Sequence, residues 1–134
     1  MANTTFTGPV RSENGFEQVT KNATTGAFTT SATYDATIIG GVQSLSGAGA
    51  VDLTNLITEL TTTGANALTL ADGTTSGQIK IVNMIVDGGD GTLTPTTFAN
   101  GTTITFDAVA ESATLVWNST IGWVATSVQG ATIA

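Results

Sequence analysis

Short runs of β-branched and aliphatic residues, broken about every ten residues by clusters of Gly, Asn and Asp, constrain this chain more than any other feature. The runs are Ala67-Leu68-Thr69-Leu70 and residues 78–86, 102–106, 113–117 and 122–127. Between them lie Ala71-Asp72-Gly73, Asp87-Gly88-Gly89-Asp90-Gly91, Asn100-Gly101 and Asn118-Ser119-Thr120, all of which carry turn chemistry. Strands of this length and spacing leave no room for βαβ units. They predict an all-β fold, with short antiparallel strands in a compact sandwich or barrel-like body.

Residues 1–40 read differently. They are polar and rich in Thr and Asn, with single aromatics at Phe6, Phe16, Phe28 and Tyr34. Ala27-Phe28-Thr29-Thr30-Ser31-Ala32-Thr33-Tyr34 has strand chemistry but too few apolar side chains to form a core alone. We read 1–40 as an extended amino-terminal arm leading into a first strand, and 41–134 as the β-rich body. The boundary falls where apolar density rises after Ile38 and where Gly40-Gly41 punctuates the chain.

Residues 51–63 support two readings. Leu53, Leu56, Ile57 and Leu60 fall at i, i+3, i+4 and i+7 behind Asp52 as an N-cap, which is helical spacing. Thr54, Thr58, Thr61, Thr62 and Thr63 favour a pleated surface, and the balance goes to strand. Thr-Leu-Thr at 92–94 and Thr-Ile-Thr at 103–105 reflect β composition rather than the period of a solenoid.

Composition narrows the function. The 134 residues contain no His, so Ser-His and Cys-His pairs, imidazole ligands and a general base near neutrality are all missing. They contain no Cys, which removes disulfides, thiolate zinc sites and thiol catalysis. Ten acids oppose three bases for a net charge of −7, leaving almost nothing to pair with a phosphate backbone, so no nucleic acid is expected as a partner. Charged residues are 10% of the chain against about 25% in an ordinary soluble domain, so its surface is largely neutral and hydroxyl-rich. The amino terminus has neither the basic start nor the apolar run of a signal peptide, and no segment approaches ~18 uninterrupted apolar residues; neither that export route nor a membrane span is expected.

Paired carboxylates remain as candidate chemistry. Asp107 with Glu111 and Asp87 with Asp90 are the nearest pairs, yet the latter sit in a turn where Gly supplies positive φ and Asp caps the backbone. The calcium-loop pattern is absent. Lys80, between Ile79 and Ile81, reads as the solvent-facing residue of an alternating strand. Trp117 and Trp123 flank the last turn, where a hairpin brings them together for packing within the core; a sugar-stacking platform and a subunit contact are the other readings. We expect no enzyme, no metal and no cofactor.

Five runs carry a resemblance. Phe6-Thr7-Gly8-Pro9-Val10-Arg11-Ser12-Glu13-Asn14-Gly15-Phe16 opens the chain. The body contains Ala67-Leu68-Thr69-Leu70-Ala71-Asp72-Gly73, Gly77-Gln78-Ile79-Lys80, and Asp87-Gly88-Gly89-Asp90-Gly91-Thr92-Leu93-Thr94-Pro95 continued by Gly101-Thr102-Thr103-Ile104-Thr105-Phe106. In these the chain resembles small virion structural proteins of tailed phages, marine cyanophage-like ones especially, of the capsid decoration, cement and head-fibre kind. The resemblance implies an interlocked β-rich homotrimer on the outer capsid surface. The arm would dock on the major capsid protein, the body would project outward, and no catalytic residues would be involved.

An arm laid against a neighbour supplies main-chain hydrogen bonds without a preformed pocket, and Phe6, Val10, Arg11, Phe16 and Phe28 are the candidates for that contact. Trp117 and Trp123 are the candidates for subunit packing. The alternative is a receptor-binding fibre or spike tip whose Trp-bearing end meets a host glycan.

Overall fold

A computed structural model describes residues 16–34 and 38–134. By contact the chain divides into two units, Met1–Gly40 and Gly41–Ala134. In the first, β1 (Phe16–Lys21), β2 (Phe28–Tyr34) and β3 (Ile38–Ile39) pair antiparallel in that order, with a bulge between Gln18 and Val19. The β1–β2 turn follows from its residues. The Asn22 side-chain oxygen accepts the amides of Thr24 and Thr25, both at 2.9 Å, and Gly26 takes a φ of 72° to close the loop.

The second unit is all-β, two five-stranded sheets packed as a sandwich. Its strands are β4 (Val42–Ser46), β5 (Gly49–Val51), β6 (Ile57–Thr61), β7 (Asn66–Leu70), β8 (Ile79–Val86), β9 (Gly91–Pro95), β10 (Ile104–Phe106), β11 (Ser112–Asn118), β12 (Gly122–Gln129) and β13 (Thr132–Ile133). The first sheet runs β12-β11-β8-β6-β4 and the second β13-β10-β9-β7-β5.

The expectation of antiparallel strands holds for only half of the pairs. β4, β6 and β8 are mutually parallel, as are β5, β7 and β9, and the chain alternates between the sheets as it passes through them. These six strands make three stacked rungs, each with one strand in either sheet. β10 to β13 then continue both sheets antiparallel. The rungs stack as the turns of a solenoid do, and their unequal spacing explains why no period is visible in the sequence. Val42 pairs with Ile57, fifteen residues on, whereas Ile57 pairs with Ile81, twenty-four residues on.

Segment 51–63 contains no helix. Asp52 does cap a turn, accepting the amides of Thr54 and Asn55 at 3.0 and 2.8 Å, but β6 follows. The β-branched Thr58 and Thr61 decide the outcome, because β6 alternates inward Thr58 and Leu60 with outward Ile57, Glu59 and Thr61.

Stacked registers place like side chains over one another. Leu45, Leu60 and Met84 form one inward row, and Leu68, Leu93, Ile104 and Ile133 another. Together with Val51, Leu70, Val82, Phe106, Ala113, Leu115, Trp117 and Trp123 they form a single core between the sheets. Buried polar groups are paired. Gln43 closes the first rung by accepting from the Asp52 amide (2.9 Å) and the Thr58 hydroxyl (2.9 Å) and donating to Ala50 O (2.8 Å).

Candidate interaction surface

β8 is the element that sets the site. It lies at the centre of the first sheet, so one face of its side chains enters the core and the other forms the sheet's outer surface. The sequence suggests that Lys80 faces solvent and its isoleucine neighbours face inward; the structure inverts this. Lys80 is 1% exposed and points inward with Val82 and Met84, while Ile79 (47% exposed) and the half-buried Ile81 point outward. The inward requirement of Val82, Met84 and their cross-strand partners fixes the register, and a period of two leaves Lys80 on the core side.

The buried ammonium is accommodated by the Asp52 turn. Lys80 Nζ donates to Asn55 O at 2.8 Å and lies 3.5 Å from Asp52 Oδ1. Asn55 Nδ2 in turn donates to Asp52 Oδ2 at 2.6 Å. Desolvation lowers the Lys80 pKa below its ordinary value, and the Asp52 carboxylate offsets only part of that shift. For Asp52, desolvation is the largest single influence and acts upward. The Asn55 backbone and side-chain amides, the Lys80 charge and the Thr54 amide together outweigh it and hold the carboxyl below its ordinary value.

Across the outer surface of the same sheet, Val42, Ile57 and Ile81 are register partners, continued by Thr114 and Ser127. Beside them, Ile79, Val116 and Val124 form a second row. The next row is Ser44, Glu59, Asn83, Ser112 and Gln129. Six aliphatic β-branched side chains therefore make one patch, with Glu59 the only charged residue among these three rows. The second sheet's outer face is built differently: Ala50, Thr69 and Thr94 form one row, and Ala67, Thr92, Thr105 and Thr132 another.

The candidate residues read from the sequence are distributed as follows. Phe6, Val10 and Arg11 lie outside the described residues. Phe16 and Phe28 start the two strands of the hairpin, in register with Tyr34 and Lys21. Trp117 and Trp123 are a cross-strand pair with ring centroids 5.4 Å apart and planes at 59°. Trp123 is wholly buried and its Nε1 donates to Ala71 O at 2.9 Å; Trp117 is 7% exposed. Both indoles are core residues of the single chain, and neither offers an open face to a sugar ring.

One member of each carboxylate pair caps its own loop. Asp87 Oδ1 accepts the Gly89 amide at 2.9 Å, and Glu111 Oε2 accepts the Asp107 amide at 2.7 Å. Among the described residues, no group of three or more His, Cys, Asp or Glu side chains is placed to hold a metal ion.

The outward aliphatic patch is the feature that sequence reading missed. Its signal was the near-continuous apolar run of residues 79–86, which marks a strand covered on both faces rather than one. Neither a protein-family model nor a curated protein matches the chain.

Proposed function

We propose that this chain is a structural subunit of a tailed-phage virion, a decoration or cement protein that binds the outer surface of the assembled head and stabilises it. The observation that supports this best is the character of the body's surface: two broad sheet faces, one aliphatic and one of Ala and Thr, with a single carboxylate across the three described rows of the aliphatic face. Faces of this kind suit burial against other protein subunits. Of the two carboxylate pairs, Asp87 and Glu111 are occupied in capping their own turns.

In this reading Met1–Gly40 attaches to the major capsid protein through main-chain pairing and its scattered aromatics, and Gly41–Ala134 projects outward as part of a homotrimer. Stabilisation follows by mass action. A protein that binds the closed lattice but not free capsid subunits shifts the equilibrium toward the lattice, by roughly 2.7 kcal/mol per site when its free concentration is a hundred times its Kd.

Quantitative mass spectrometry of purified virions tests the reading. Copies comparable to the major capsid protein are expected. A handful per particle would instead indicate a fibre or tail tip, and absence from particles would refute the virion assignment.

A further inference from the structure

We propose that the outer face of the β12-β11-β8-β6-β4 sheet packs against further copies of this chain, with Ile57, Ile79, Ile81, Val116 and Val124 at the centre of the contact. The inference rests on the reading of the chain as an assembling subunit and names the surface through which it assembles.

Three observations carry it. The first is the inverted alternation of β8: a strand that buries its one lysine and turns two isoleucines outward is ordered for a sheet covered on both sides. The only cover inside the body is the opposite sheet, which takes the inner side.

The second is charge. The chain carries −7, so copies repel one another over most approaches. The aliphatic rows Val42-Ile57-Ile81 and Ile79-Val116-Val124 contain no charged side chain, and Glu59 stands in the row beside them. Asp87, Asp90 and Asp107 lie in exposed loops instead. Two like-charged molecules meet most easily through such an uncharged face.

The third is size. Strands of five, five, eight, seven and eight residues, at about 3.3 Å per residue and about 4.8 Å per strand, give a face of roughly 520 Å². That footprint approaches the ~800 Å² per partner that a specific interface buries. The β-branched side chains at its centre have few rotamers to lose on association.

The test uses the full chain and size-exclusion chromatography with light scattering. The wild type is expected at a whole-number multiple of its 13.5 kDa chain mass. Ile81→Lys and Val116→Lys are each expected to elute as monomers with unchanged circular dichroism and cooperative unfolding. Thr94→Lys, on the opposite face, is expected to leave the multimer intact. If either lysine variant misfolds, Ile81→Thr combined with Val116→Thr takes its place, with at least a tenfold rise in the dissociation constant expected.

A wild type that stays monomeric at high concentration overturns the proposal, as does a multimer indifferent to all these face variants. Loss of capsid binding in Ile81→Lys with an unchanged multimer also overturns it, because the face would then belong to the capsid. Failure of the virion reading is separately visible: a multimer broken by Ile81→Lys, from a protein absent from particles, upholds this interface and refutes decoration.

Discussion

A close approach of the two sheets at Gly91 offers a sharp test of the sandwich. Gly91, on β9, is buried in ordinary strand backbone, and a Cβ built there would lie 2.8 Å from Leu60 Cδ2 on β6 and 3.1 Å from Thr62 Cγ2. Carbon atoms pack best at about 3.5–4.0 Å, so Gly91→Ala drives a methyl roughly 1 Å too close to Leu60. Overpacking of this kind costs about 1–3 kcal/mol, and the reduced freedom of the unfolded chain returns about 0.4–1 kcal/mol. The expected net loss is about 1–2 kcal/mol.

Leu60 is fully buried, so Leu60→Ala alone should cost about 3–5 kcal/mol. In that background the nearest atom struck by the new methyl is gone and only the Thr62 Cγ2 contact at 3.1 Å stays tight, so most of the cost of Gly91→Ala should disappear. The double mutant should therefore be more stable than the sum of the singles predicts, by about 1–2 kcal/mol. Urea unfolding followed by the fluorescence of Trp117 and Trp123 measures all four proteins. Additivity within about 0.5 kcal/mol would mean that β6 and β9 do not face each other here, and the sandwich packing would be refuted.

Other perturbations address the turns and the buried pair. Gly122 combines a φ of +92° with a would-be Cβ 2.6 Å from Thr97 O, so Gly122→Ala should lose about 3 kcal/mol or more, and a smaller loss by urea titration would contradict the turn geometry. The lowered pKa of Asp52 gives stability that is present above its ordinary value of 3.8 and lost as pH falls through the folded value. Asp52→Asn should thus be less stable than wild type near neutrality and converge with it in acid; parallel pH profiles would refute this. Lys80 has a lowered folded pKa, so the unfolded chain binds its proton more tightly, and its contribution to stability rises with pH between the folded value and 10.5. That alkaline rise should be missing from Lys80→Met, and an identical slope in the two proteins would show that Lys80 does not titrate differently on folding.

The turns were legible because their chemistry is local. Asp87 and Asn118 hydrogen-bond amides two residues on, as Asx residues do without help from the rest of the fold. Strands β7, β8, β11 and β12 were legible for a similar reason, since alternation and β-branching act within a few residues. Which strands pair is a tertiary matter. A segment such as Thr92-Leu93-Thr94 carries the same pattern whether its neighbour runs parallel or antiparallel, and here β7 is parallel to it and β10 antiparallel. With rung offsets of fifteen and twenty-four residues, the parallel stacking left no repeat to find.

Lys80 departs from the alternation expected of its strand because that rule depends on which faces of the sheet are wet. Alternation assigns the polar residue of a strand to solvent when one face of the sheet is dry and the other wet. β8 has Val82 and Met84 to bury on its inner side, opposite buried Ala113 and beside Leu115 of β11, and that register carries Lys80 inward whatever its own preference. The fold tolerates it because the Asp52 turn holds a carboxylate and a main-chain carbonyl within reach of the ammonium. Exchanging Lys80 with its neighbours would have been simpler had Ile79 and Ile81 faced only water. Their outward placement makes physical sense when the outer face is itself a buried one, so the residue that misled the sequence reading and the face proposed for assembly are two consequences of one register.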